Sequence, residues 1–372
     1  MPPARRPKTP GVQFLISGYY GFGNLGDEAL ARVIVAELRS RYPYADIDVL
    51  SAHPDVTAHE LGVRSTPRAQ VSAVREAIAR ADVVLSGGGG LLQNATSLRS
   101  LLYYAGILRA ANKAHRKSMI FAQSIGPLDF VGKTVVREWC KGTRVATVRD
   151  ARSQRLLASL LHEAAIERTA DPAFLYDDEG ATLDLAAEGI DPAAPLIVVA
   201  VRKCAGFQYA ANVIANTVDR LANEYDAHVA FLALGGAEDA EAATSLIRKC
   251  KSTPVLLPLT DLGAACALIR QSFAVIGMRL HALIFAIRYG VPFLAVAYDP
   301  KVSALCEDIA YPLPPLWNRD SRRTFHEPEI DALVDRLWNE HDALSSAMHD
   351  QAAQMRRLAE RNFEVLDELV RA

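Results

Sequence analysis

The sequence predicts an α/β protein of two similar domains in tandem, each a parallel sheet covered by helices. Three observations carry that expectation. The chain has 372 residues, too many for one ordinary core. Short apolar runs ending in Gly or Pro alternate with helical stretches, the pattern of parallel strands buried on both faces. The alternation also occurs twice, on either side of an acidic, glycine-containing, proline-ended stretch at residues 177–195.

The first series opens with the strand "VQFLISGY", a glycine turn and the helix "GDEALARVIVAELRSRY". The strands "ADIDVLSA", "ADVVLSGGGG", "SMIFAQSIGP" and "RVATVRD" follow, each with a helical stretch behind it. The second series reads "PLIVVAVRK", "HVAFLALGG", "TPVLLPL", "FAVIGMR" and "PFLAVAYD". Residues 343–371 show helical apolar spacing, as one long helix or two. The expected divisions are a disordered tail at 1–11, an N-terminal domain at 12–180, a C-terminal domain at 181–342, and a helical segment at 343–372 that packs back across the domains. Two Rossmann-like domains in tandem facing a cleft make a glycosyltransferase-B-like architecture, with ligands expected at the C-terminal strand ends.

Composition narrows the function. Half of the residues are hydrophobic, 23% are charged and the net charge is −2, so no basic excess exists to neutralise a nucleic acid. The five cysteines are scattered with no CxxC pair, which fits a reducing cytoplasm and argues against a zinc site. No apolar run reaches the roughly 20 residues that span a bilayer. "MPPARRPKTPG" lacks an apolar stretch behind its basic residues and does not read as a signal peptide.

Six stretches stand where such a fold puts ligands. "GYYGFGNLGDEAL" joins a strand to a helix, and Asn24, Gly26 and Asp27 lie where a hydroxylated ligand or an anion would meet the helix N-terminus; Asp27 is equally a helix cap. "LSGGGGLLQN" brings Gly88, Gly89, Gly90, Gln93 and Asn94 onto one loop, where backbone approach and neutral donors suit a sugar. "QSIGPL" and "VRD" follow; Arg149 reads either as an ion-paired structural residue or as an anion clamp. Arg202 and Lys203 are the first charges after a strand that is otherwise apolar. In "VIGMRLHALIFAIRYGVPF", Arg279 and His281 interrupt a core segment at a strand-to-helix turn, with Leu280 between them and Gly290 as the helix stop. Burying a guanidinium without a partner is costly, so Arg279 must meet an anion. Lys301, after "AYDP", is a further cation at the same edge.

Taken together, "GYYGFGNLGDEAL", "GGGGLLQN", "QSIGPL", "VRD", "VRK", "GMRLHALIFA" and "AYDPKV" resemble the polysaccharide pyruvyl transferases, particularly the bacterial CsaB type. They occur in order from about residue 13 to about residue 310. The resemblance implies transfer of pyruvate from phosphoenolpyruvate onto a sugar as a cyclic ketal. It implies as acceptor an N-acetylmannosamine of a lipid-diphosphate-linked cell-wall polymer precursor, reached at the inner face of the cell membrane. Phosphoenolpyruvate would be a co-substrate, with no cofactor and no metal.

Carried over residue by residue, it makes Arg202, Arg279, Leu280, His281, Lys301 and Arg149 donor-binding. Of these, His281, Arg279, Arg202 and Lys301 are expected to be catalytic. Asn24, Gly26, Asp27, Gly88, Gly89, Gly90, Gln93 and Asn94 fall on the acceptor side. Peripheral membrane contact and homo-oligomerisation are left open. Two rivals remain: a nucleotide-sugar glycosyltransferase, and a non-catalytic sugar- or phosphate-binding protein.

Overall fold

The computed structural model describes residues 11–204, 206–319 and 327–372. Most of the tail expected at 1–11 therefore lies outside the described residues. The chain divides into two compact units. The first takes in the described residues through Phe22, Leu30–Pro172 and Ala359–Ala372; the second takes in Gly23–Ala29 and Ala173–Leu358. The short Gly23–Ala29 segment thus belongs with the second unit although it follows the first strand.

The first unit's strands are β1 (Gln13–Tyr20), β2 (Asp46–Ser51), β3 (Arg64–Pro67), β4 (Val83–Gly89), β5 (Lys117–Gln123), β6 (Val145–Val148) and β7 (Ala165–Arg168). They form a parallel sheet in the order β3-β2-β1-β4-β5-β6-β7. Helices α1 (Leu25–Arg41), α2 (Pro54–Leu61), α3 (Val71–Arg80), α4 (Leu98–Lys113), α5 (Phe130–Cys140) and α6 (Ala151–Ala158) provide the crossovers. Parallel neighbours need such connections, and helices on the sheet faces explain why β4 is buried at every residue.

The second unit repeats the plan. Its strands are β8 (Leu196–Ala200), β9 (His228–Leu232), β10 (Val255–Leu257), β11 (Ala274–Gly277), β12 (Phe293–Ala297) and β13 (Trp317–Asn318). Their order is β10-β9-β8-β11-β12-β13, again with parallel pairing. The helices are α7 (Phe207–Glu224), α8 (Ala237–Ile247), α9 (Leu262–Arg270), α10 (Leu280–Arg288), α11 (Pro300–Asp308) and α12 (Glu327–Asn339). Helix α10 buries Leu280 and every residue from Ala282 to Ile287, so it is a core helix. It stops where expected, with Gly290 at φ +71 just past its end.

In each sheet the strand order reverses once, between β1 and β4 and between β8 and β11. Ligands of open α/β sheets bind outside the carboxyl ends of the strands at that point. These two positions decide which of the sequence motifs share a site.

The apolar spacing at 343–371 proves to be one helix, α13 (His341–Arg371). Its end belongs to the first unit, where Phe363 packs edge-on against Phe121 with ring centroids 5.0 Å apart. Asn362 is fully buried there and donates to the Ala170 carbonyl at 2.9 Å. All five cysteines are free thiols, and burial pushes those of Cys140 and Cys266 up to about 12, leaving them unreactive near neutral pH. Because Phe363 is fully buried, Phe363→Ala is expected to destabilise the protein by about 3–5 kcal/mol. Urea melts followed by far-ultraviolet dichroism measure this; a loss below about 1 kcal/mol would mean that the end of α13 is not part of the core.

Candidate functional site

The second sheet's reversal point brings together residues from three strand ends. Beside it, β8 runs into Arg202 and β11 runs into Arg279-Leu280-His281. The Met278 and Arg279 amides both donate to the Ala200 carbonyl, at 2.8 and 3.4 Å, which ties the two strand ends together. The next strand, β12, leads into Tyr298 and Lys301. Arg202 Nη1 donates to the Tyr298 hydroxyl at 3.1 Å, and its guanidinium carbon stands 5.2 Å from the ring centroid. Lys301 Nζ lies 5.9 Å from the same ring. One buried tyrosine therefore carries two cations from two different strands.

Arg202 Nε is buried and has no hydrogen-bond partner among the described residues. Burial pulls the Arg202 pKa down, but Tyr298, Asp239 and Cys204 push it up further, so the net shift is upward and the group stays charged. Lys301 is held differently. Asp299 caps α11 by accepting from the Lys301 amide at 3.1 Å, which fixes the backbone from which the side chain leaves.

Arg279 meets its anion inside the protein. It occupies the N-cap position of α10 in extended conformation, and its side chain makes no cap hydrogen bond. Instead Nε donates to Asp239 Oδ2 at 2.6 Å, while Nη2 donates to Asp239 Oδ1. Asp239, in the first turn of α8, is 1% exposed and also accepts from the Gly235 amide at 2.7 Å. A Cβ at Gly235 would come within 1.9 Å of Arg279 Nη2, so only glycine fits beside the pair. The expectation that Arg279 waits for a ligand's charge needs this correction: Asp239 balances that charge and occupies one edge of the fork.

His281 is flanked by an unexpected segment. The Leu25 amide donates to the Leu234 carbonyl at 2.9 Å, which seats residues 23–27 on the turn after β9. A Cβ on Gly26 would fall 2.0 Å from His281 Nδ1, so the bare backbone of Gly26 lies against the imidazole. Asn24 braces this turn, donating to Asp27 Oδ2 at 2.6 Å and accepting from the Gly26 amide at 3.2 Å. Asn24, Gly26 and Asp27 were expected on the acceptor side of the N-terminal domain. The structure places them in the second unit, beside His281.

The remaining expected residues lie in the first unit. Gly88 and Gly89 adopt φ of +59 and +75, which suits glycine alone. A Cβ at Gly88 would approach Leu30 Cδ1 to 2.7 Å, so this glycine admits a core side chain rather than a ligand. Gly90 is exposed. Gln93 is hydrogen-bonded to Thr96 through both ends of its amide, at 2.7 and 3.2 Å. Asn94 accepts from the Asp129 amide at 3.1 Å and so holds the start of α5. Arg149 pairs with Asp171, the two side chains only 5% and 3% exposed, and donates to Ser124 Oγ at 2.7 Å. For Arg149 the ion-pair reading describes what the structure holds.

Asp239, Gly235 and Tyr298 escaped the sequence reading as site residues. A signal did exist: the doubled glycine after "HVAFLAL" and the acids that follow repeat the strand–glycine–helix pattern of the other motifs. Among the described residues there is no group of three or more His, Cys, Asp or Glu placed to hold a metal ion, and no helix is long and apolar enough to cross a membrane.

The fold has clear counterparts among solved structures. A putative UDP-N-acetylglucosamine 2-epimerase from Listeria monocytogenes is 12% identical, with TM-score 0.64 and 96% of each chain covered. A glycosyltransferase from Rickettsia africae is 9% identical, with TM-score 0.62 and coverage of 97% of this chain and 99% of the other. At these identities the likeness shows the fold, two Rossmann-like domains of the glycosyltransferase-B-like class. No curated protein matches the chain. The model of the polysaccharide pyruvyl transferase family matches residues 24–300, and the chain belongs to that family. It is a transferase of that kind, acting in pyruvyl transfer to polysaccharide.

Asp239→Ala leaves the Arg279 charge buried and unpaired, and is expected to destabilise the protein by about 3–5 kcal/mol. Replacing the pair together, as Arg279→Met with Asp239→Leu, should recover most of that loss. A double-mutant cycle in urea measures the coupling; additive effects would mean that the two side chains do not depend on each other.

Proposed function

We propose that this protein transfers pyruvate from phosphoenolpyruvate to two hydroxyls of a sugar, forming a 4,6-ketal and releasing phosphate. The observation that carries this reading is the pair of cations, Arg202 and Lys301, gathered on Tyr298 at the edge of the second sheet where β11 leads into His281. Phosphoenolpyruvate puts a carboxylate and a phosphate on a three-carbon frame, and such a ligand needs clustered cations. Arg202 and Lys301 supply net positive charge. Arg279, balanced by Asp239, supplies oriented N–H donors and Leu280 fixes the turn between it and His281.

The chemistry assigns His281 a proton-transfer role. It delivers a proton to the methylene carbon as positive charge develops at C2, and the first sugar hydroxyl adds there and returns a proton to the imidazole. The C2–O bond to phosphate then breaks, assisted by Lys301, and the second hydroxyl closes the ring. The second hydroxyl's proton leaves with phosphate, so both protons are accounted for. Gly26, against the Nδ1 side of the ring, leaves the imidazole the space that any side chain there would take. No further cofactor is invoked.

For the acceptor, the CsaB-like reading favours N-acetylmannosamine of a lipid-diphosphate-linked wall polymer, met at the cytoplasmic face of the membrane. In the first unit the exposed Gly90 and the Gln93–Thr96 pair present neutral hydrogen-bonding groups suited to a sugar.

The test is phosphate release from phosphoenolpyruvate that depends on added acceptor glycan. His281→Ala should lower turnover about a hundredfold or more while leaving the phosphoenolpyruvate-induced rise in melting temperature near the wild-type value. Turnover within a few-fold of wild type would remove His281 from the chemistry. A melting rise with UDP or GDP sugars, but none with phosphoenolpyruvate, would point to nucleotide-sugar transfer instead.

A further inference from the structure

The outer face of α4 and α5 in the first unit has no part in the chemistry above. The two helices pack side by side: Arg109 stacks over the Trp139 ring at 4.9 Å, and Asn94, just before α4, binds the Asp129 amide at the start of α5. Their N-terminal ends therefore lie together. At that end Phe130 is 83% exposed, Val131 49% and Leu98 41%. One exposed hydrophobic residue is ordinary, but three gathered at one tip form the kind of apolar patch that marks a contact.

Basic charge runs down the two helices from this apolar tip. Helix α5 buries Gly132, Val136 and Cys140, so the outward stripe is Phe130, Thr134, Arg137 and Lys141. Leu98, Leu102, Arg109 and Lys113 form the corresponding stripe on α4, away from its buried residues. Within the two helices Arg99, Arg109, Lys113, Lys133 and Arg137 stand against a single acid, Glu138, which pairs with Lys141 at 3.4 Å. The acid at the tip, Asp129, is occupied in capping the Gly132 amide at 2.7 Å. This face is strongly basic in a chain of net charge −2.

We propose that the α4–α5 face docks on an anionic lipid bilayer, with Phe130, Val131 and Leu98 entering the headgroup boundary and the Lys and Arg side chains along the two helices meeting lipid phosphates. An apolar tip at the end of a basic helical face is what interfacial binding requires, since apolar burial and attraction to anionic lipid act together. A second copy of the chain fits less well, because a two-fold contact would set this basic face against itself.

Vesicle flotation tests the proposal without any donor or acceptor, so its outcome and that of the pyruvyl-transfer reading are separable. Wild-type protein should float with vesicles of phosphatidylcholine and about one-third phosphatidylglycerol at low salt, and be released as salt rises. The Phe130→Ser/Val131→Ser and Lys133→Glu/Arg137→Glu variants should each lose about tenfold in bound fraction, with melting unchanged because these side chains are exposed. Phe130→Trp should retain binding. Failure of the wild type to float with the anionic vesicles overturns the proposal, as does wild-type binding by both double variants. A dimer in light scattering that Phe130→Ser/Val131→Ser dissolves, with no vesicle binding, assigns the face to a second copy and overturns it too.

Discussion

The second unit's site is organised around one buried ion pair. Asp239 takes both an Nε and an Nη2 hydrogen bond from Arg279 at the turn between β11 and α10. A buried guanidinium without that carboxylate would be untenable, and a buried carboxylate without the guanidinium equally so. The pair fixes the first turn of α8 relative to the first turn of α10. Gly235 must be glycine because the pair fills the space its side chain would take. With the Arg279 charge balanced internally, the proposed attraction for an anionic donor falls to Arg202 and Lys301.

Those two cations owe their position to topology. Strands β8, β11 and β12 are neighbours in the sheet although the chain builds β9 and β10 in between. The reversal of strand order leaves space above β8 and β11, and the first polar residues after each buried strand project at that edge. Tyr298 then converts adjacency into a defined arrangement, accepting a hydrogen bond from Arg202 and offering its ring to Arg202 and Lys301. The Gly23–Asp27 segment adds a wall beside His281, so the opening motif of the chain belongs to a site formed mostly by residues far beyond it.

Much of this fold was legible. Apolar runs such as "LIVVA" and "FLAVA" are what a strand buried on both faces must contain, and each lies where a strand was expected. Arg202 and Arg279 stand out in the sequence as the first charges after such runs, with His281 two positions past Arg279 and Lys301 two past Asp299. What stayed hidden depended on pairing across sequence distance. Nothing local marks Asp239 as the partner of a residue forty positions later, since an acid in a first helical turn is ordinary on any helix. Arg149 could be read as either an ion-paired residue or an anion clamp for the same reason: Asp171, which balances it, follows a different strand. The destination of Gly26 could not be read either, because a glycine needed for backbone contact looks the same as one needed for a turn.

In the proposed reaction the donor anion is held by Arg202 and Lys301, with Arg279 already balanced by Asp239. Calorimetric titration of phosphoenolpyruvate into the wild type, Arg202→Ala and Lys301→Ala tests this most directly. The prediction is a saturable isotherm for the wild type, and affinity lowered about tenfold or more in each variant with melting behaviour retained. Absence of binding to the folded wild type, or wild-type affinity in both variants, would contradict it.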